Sequence, residues 1–260
     1  MDLSPYIVSL TQFANTHLKG EADHDYHITL KLDHSLRVLQ NAQIILEAEN
    51  ISGHTADLAQ LAALFHDIGR FPQYAQYGTF KDSDSINHGR LGVLTLRDHP
   101  FLDTLSDTDA RRIKAVIGLH NVKQLAPSTP EPVATLTKIV RDADKIDIIQ
   151  IVLDHLSPQA ATKPVVIHDL INDPLRYSDA LYDAAFNGTI GDITLLRYCN
   201  DFILLLIGWL AALNYATSVS LIAQRGLVER AFSLLPDDAK IVALRKRTDT
   251  FVHNGNHISE

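Results

Sequence analysis

The stretch Leu58-Ala-Gln-Leu-Ala-Ala-Leu-Phe-His-Asp-Ile-Gly-Arg70 decides how this chain reads. Leu58, Leu61, Ala62, Leu64 and Phe65 recur at the three- and four-residue spacing of a buried helix face. His66 and Asp67 follow directly. Two polar groups at the end of so apolar a run are costly to bury unless they find partners or a metal. Gly69 is placed to stop the helix in a left-handed cap, with Pro72 preventing its resumption.

Outward from this stretch the helical period persists. Over residues 27–47 apolar side chains recur at Leu30, Leu32, Leu36, Val38, Leu39, Ala42, Ile45 and Leu46. The same reading predicts helices over 88–97, 107–119, 135–155, 178–187, 193–215 and 217–234. No alternating strand pattern of useful length occurs, so the expected fold class is all-α. Breakers cluster at 72–87, 126–132 and 157–174. The last holds Pro158, Pro164 and Pro174 and is the one credible boundary between halves, though one long loop would read the same way. The longest apolar run, 202–213, is too short to span a bilayer and reads as a buried helix. Residues 1–20 have no basic leader or long apolar run, so no signal peptide is expected there.

Composition narrows the function classes. With 46% hydrophobic and 21% charged residues in 260, the chain can bury a core and is not a disordered polymer. Its formal charge of -8 disfavours binding along a nucleic-acid backbone. A single cysteine, Cys199, allows neither an internal disulfide nor a thiolate-rich zinc site, which points to a reducing, cytoplasmic setting. The 13 histidines are the excess that needs an account.

Six of them read as ordinary surface residues: His17, His24, His54, His99, His155 and His168. His253 and His257 have the i, i+4 spacing of a metal pair but sit in a polar tail. Four do stand out. His34 projects from the 27–47 helix, His66 adjoins Asp67, His88 lies in Asn87-His88-Gly89, and His120 in Leu119-His120-Asn121. An acidic string follows, Arg141-Asp142-Ala143-Asp144-Lys145-Ile146-Asp147. On one helix Asp144 and Asp147 share a face while Asp142 points about 160° away from Asp144. Arg37, Arg70, Arg90, Lys123 and Lys145 lie near these positions and are candidates for holding an anion, or for pairing with surface carboxylates. His27 and Lys31 share the helix face of His34, either lining a pocket mouth or solvated. Tyr74 and Tyr77, in the aromatic 71–80 segment, fit a stacking lid or plain packing equally.

The order His34, His66-Asp67, His88, His120, Asp144 resembles the HD-domain superfamily of metal-dependent phosphohydrolases, over roughly residues 27–155. The resemblance implies an HD-domain helical bundle with a C-terminal helical extension: a metal-binding core over 1–156, and a region over 157–260 packed on it as one structural unit. It implies His34, His66, Asp67 and Asp144 as ligands of a first metal, the family's Ala-Asp-Lys string selecting Asp144 over Asp142. Asp67 would bridge to a second metal held by His88 and His120. The implied cofactors are one or two divalent ions, Mn, Fe, Co, Ni, Zn or Mg, and a histidine and carboxylate set suits the transition metals among them.

Asn121 stands where the cyclic-dinucleotide phosphodiesterase branch has a second histidine, and Leu30 replaces the glutamate of its three-metal members. A third metal is therefore not expected. The implied activity is hydrolysis of a phosphate ester, of a nucleotide above all, by a metal-activated water, with Asp67, Arg70 and Lys145 in catalytic roles. Two alternatives remain: a di-iron oxygenase resembling myo-inositol oxygenase, and a non-catalytic metal-stabilised nucleotide-binding or scaffold domain. The expected partner is a small phosphorylated substrate rather than a membrane or a nucleic-acid polymer, and the apolar 193–234 region fits a core or a homodimer interface alike.

Overall fold

The computed structural model describes residues 1–158, 160 and 163–253, and among them the protein is all-α. His257, and with it the pairing considered with His253, lies outside the described residues. The one β-type contact among the described residues is an isolated parallel bridge between Ile171 and Tyr198. No helix is long and apolar enough to cross a membrane. The chain divides into two compact units, Met1–Asp147 and Ile148–Glu260.

The first unit is built from α1 (Ser4–Asn15), α2 (Ala22–Ala48), α3 (Gly53–Phe65), α4 (Arg70–Tyr77), α5 (His88–Asp98), α6 (Asp107–Leu119) and most of α7 (Val133–Leu156). Helix α3 is its axis, packing on α1, α2 and α6, while α5 lies against α4 and α6. Leu58, Leu61, Leu64 and Phe65 are buried completely or nearly so, as are Ile113, Val116 and Ile117 of α6 and Leu136, Ile139, Val140 and Ile146 of α7. Each such side chain contributes about 1.5–3 kcal/mol of burial free energy. Local chemistry fixes two starts that matter for the site. The Asn87 side chain accepts a hydrogen bond from the Arg90 amide (2.9 Å) and begins α5 at His88; Ser106 does the same for α6 through the Asp109 amide (3.2 Å).

The expected stop at Gly69 is corrected. Gly69 is right-handed helical (φ -69, ψ -16), and α4 starts at the next residue with Pro72 in its first turn, where a missing N–H costs nothing. What demands glycine is proximity. A Cβ on Gly69 would lie 2.3 Å from the His88 carbonyl and 2.5 Å from the Gly92 amide nitrogen, so the α3–α4 turn sits directly on the α5 backbone.

The second unit contains the end of α7, α8 (Asp179–Phe186), α9 (Cys199–Trp209), α10 (Ala216–Gln224), α11 (Leu227–Leu234) and α12 (Ala239–His253). Helix α9 is buried along almost its whole length and packs on α8 and α11. Two helices are shorter than periodicity predicts. The 193–215 reading shrinks to α9 flanked by two 3-10 turns, Ile193–Leu195 and Leu210–Ala212. The 217–234 reading breaks into α10 and α11 at Gly226, whose φ of 65 lies in the left-handed region. Asp201 is fully buried and fastens the start of α9, accepting from the amides of Ser178, Arg197 and Tyr198 and from the Ser178 hydroxyl.

Candidate metal centre

Five elements of the first unit bring one residue or pair each to a common point: His34 from the middle of α2, His66-Asp67 from the turn closing α3, His88 from the start of α5, His120 from the end of α6, and Asp144 from α7. His34, His66, His88, His120 and Asp67 are buried. They form two groups able to hold a metal ion, His34, His66 and Asp144, and Asp67, His88 and His120.

Asp67 lies between the groups. Its Oδ2 is 3.5 Å from His34 Nε2 and 3.7 Å from His66 Nε2, and its Oδ1 is 3.5 Å from His88 Nε2 and 3.7 Å from His120 Nε2. Asp144 Oδ1 closes the first group at 3.2 Å from His34 Nε2 and 3.5 Å from His66 Nε2. Within each group the two Nε2 atoms approach to 3.1 Å. For metal–nitrogen bonds of about 2.1 Å, neighbouring ligand atoms stand about 3.0 Å apart in an octahedron and about 3.4 Å in a tetrahedron. The two Nε2–Nε2 edges and the His34–Asp144 edge fall in that range, and the remaining edges, 3.5–3.7 Å, run slightly wider.

The outward nitrogens settle which atoms face the centre. Nδ1 of His34 lies 2.7 Å from Asp147 Oδ2, that of His66 2.8 Å from the Ala63 carbonyl, that of His88 2.8 Å from Asp82 Oδ2, and that of His120 2.7 Å from the Ile117 carbonyl. Each of these oxygens only accepts, so Nδ1 carries the proton and a neutral ring turns the bare Nε2 lone pair inward. Two lone pairs 3.1 Å apart in a dry site repel unless a cation lies between them, which is the strongest structural sign that the residues fit a metal. A proton competes for that place. Burial and Lys31 oppose charge on His34, yet the carboxylates of Asp144, Asp147 and Asp67 outweigh them and hold its pKa up at about 10 in the metal-free arrangement.

The charges around the ligands are also fixed. Burial alone would raise Asp67, but Lys31, His66 and Arg70 hold it well below the usual carboxylate range. Lys31 Nζ is 2.8 Å from Asp67 Oδ2, which makes it part of the site rather than a solvated neighbour. Burial and Arg70 push His88 down to about 3 against the pull of Asp82 and Asp67, so its ring stays neutral as a ligand must. Lys145 is lowered to about 8, by burial and then by Arg141, against Asp142 and Asp144.

Other candidates fall elsewhere. Arg37 is engaged in a two-pronged pair with Asp147 (2.7 and 3.1 Å). Arg90 and Lys123 are exposed, and the Tyr74 ring is buried against His27 and Phe80 while Tyr77 is exposed. His17 departs from a plain surface reading: it is half-buried with its ring 4.7 Å from that of Phe13. Asp142 is fully buried but belongs to neither metal group. Sequence reasoning missed two carboxylates. Asp147 was legible as a face-mate of Asp144, whereas Asp82 sits in a one-turn 3-10 helix (Asp82–Asp84) with no periodicity to mark it.

A helical unit that gathers four histidines and two aspartates into two adjoining groups has the donor set to hold divalent metal ions. Residues 32–149 match the family model described as HD domain, which supports a place for that segment in the HD-domain superfamily. Comparisons with curated proteins and with solved structures gave no match.

Proposed function

We propose that the HD unit hydrolyses a phosphate ester, with nucleotides as the substrate class, using a metal-activated water. One observation supports the anionic substrate beyond the metal groups themselves. Lys145 Nζ and Arg70 Nε are buried without a hydrogen-bond partner among the described residues. For Lys145 that leaves a buried ammonium with no hydrogen bond, ordinarily a costly arrangement, whereas the Arg70 guanidinium keeps one donor uncommitted beside its bonds to Gln73, the Phe80 carbonyl and Asp82. Arg70 Nε is 3.5 Å from Asp67 Oδ1, and Lys145 follows Asp144 directly, so both adjoin candidate ligands.

A divalent ion bound here supplies a Lewis acid that activates water and offsets phosphate charge. The chain's own residues do the remainder. Asp67 faces both histidine pairs, oriented by Lys31 on one oxygen and Arg70 beside the other. Lys145 and Arg70 donate to the phosphoryl oxygens, in a site dry enough for those bonds to count. Asp147 and Asp82 keep His34 and His88 in the tautomer that can ligate.

The test is release of phosphate or nitrophenol from nucleotides, p-nitrophenyl phosphate and bis(p-nitrophenyl) phosphate by protein loaded in turn with Mn, Fe, Co, Ni, Zn and Mg. Turnover with at least one metal, abolished by Asp67→Ala, is expected. No release with any metal overturns the reading; an oxygen-dependent absorption change in iron-loaded protein would then favour an oxygenase, and saturable nucleotide binding without turnover a binding domain.

A further inference from the structure

The two half-sites are built on the same plan. In each, one histidine leans on a helix carbonyl three residues earlier, His66 on Ala63 and His120 on Ile117, and the other leans on a carboxylate, His34 on Asp147 and His88 on Asp82. The plan is executed unequally. Asp147 stands on the long helix α7, its side chain 2% exposed, and is braced by Arg37. Asp82 stands on a one-turn 3-10 helix between α4 and α5, its side chain 30% exposed. The first half-site also has Asp144 in addition to its two histidines and its share of Asp67, whereas the second has only its share of Asp67 and two histidines.

Asp82 compensates for its loop by gathering donors. Its Oδ2 accepts from His88 Nδ1 at 2.8 Å and from Asn121 Nδ2 at 3.4 Å; its Oδ1 accepts from Gln73 Nε2 at 3.0 Å and from an Arg70 guanidinium nitrogen at 3.2 Å. One carboxylate thereby ties the histidine of the second half-site to Arg70 and to the residue after His120.

We infer that Asp82 is the positioning residue of the second half-site, setting the affinity for a second metal ion without touching it, while the first half-site is held independently by Asp147. The inference rests on the metal-binding part of the proposed function and is indifferent to the substrate. Outer partners of this kind are worth about 10–100-fold in metal affinity.

Titration of metal-free protein with Mn(II) or Zn(II) alone, followed by calorimetry and by metal analysis after gel filtration, tests it. Wild type should take up two equivalents. Asp82→Ala should weaken the second about 10–100-fold and leave the first within about threefold; Asp147→Ala should weaken the first. Asp82→Asn, which keeps an oxygen acceptor for His88, should fall between wild type and Asp82→Ala and serves if the alanine variant does not fold. Ser85→Ala separates positioning from loop order, because the Ser85 hydroxyl holds the same loop through the Lys81 carbonyl (2.7 Å) and Gln73 (2.9 Å) while bonding neither the Asp82 carboxylate nor His88. It should keep the second equivalent. Equal weakening of both equivalents in Asp82→Ala, an unchanged second one, a matching loss in Ser85→Ala, or a wild type that binds fewer than two ions would each overturn the inference. Failure to hydrolyse phosphate esters would leave these titrations untouched, so the two readings fail separately.

Discussion

At the scale of single residues the site trades stability for chemistry. Lys145 carries a buried ammonium with no hydrogen-bond partner among the described residues, a group the folded state would be better without. Lys145→Met keeps the length of the side chain and removes the charge. It should stabilise the protein by about 1–3 kcal/mol, seen as a melting temperature higher by roughly 2–4 °C per kcal/mol. Phosphate-ester turnover should fall at least tenfold in the same variant; a variant that is neither more stable nor less active would contradict the role. Asp67 is the opposite case. Asp67→Asn keeps the shape but leaves Lys31 and Arg70 facing a neutral group, and both metal equivalents should weaken, measurable by the same metal analysis. These roles were unevenly legible. His66 and Asp67 declared themselves by following an apolar run, but Lys31 was readable only as a helix-face neighbour of His34, because its partner Asp67 lies on another helix's end.

At the scale of elements, ligand geometry depends on how helix ends meet. His66 and His120 are each the residue that closes a helix, α3 and α6, where the carbonyl three residues back is free to take the ring N–H. His88 opens α5 behind the Asn87 cap. The close approach of Gly69 to the α5 backbone sets the distance between these ends. Gly69→Ala would force its Cβ into the His88 carbonyl and the Gly92 amide, so the cost should be about 1–3 kcal/mol of stability. Displacement of His88 should lower affinity for the second metal equivalent more than the first, as read by calorimetry. In the second unit Gly226→Ala places a side chain in left-handed backbone; it should cost about 1 kcal/mol with no change in metal uptake. Periodicity placed α2, α3, α5, α6 and α7 to within a few residues because each has a continuous apolar face. It missed α1, α4 and α12: α12 buries only Ile241, Leu244 and Thr248, too few to make a stripe, and α4 was hidden by Pro72.

At the scale of the whole molecule, the candidate ligands all lie in the Met1–Asp147 unit, so metal should act on that unit first. Chelation with EDTA is expected to lower its stability by about 3 kcal/mol if the metal had been present at a hundred times its dissociation constant. Hydrogen exchange should show the loss in α2 through α6, with α8 through α12 changed less; uniform loss across both units would argue against a metal-held HD unit. The formal charge of -8 fits this arrangement, since the carboxylates that contribute to it include those awaiting a cation. The sequence by itself determined the helical class, the resemblance to the HD domain and the order of candidate ligands, because helical periodicity and a motif string are local properties of the chain. Only the tertiary structure sets Asp144 beside His34 and His66 while the more deeply buried Asp142 stays apart, turns one oxygen of Asp67 to each histidine pair, and puts Asp147 and Asp82 behind the rings. Those are contacts between residues up to 113 positions apart, and no local pattern encodes them until packing brings the helix ends together.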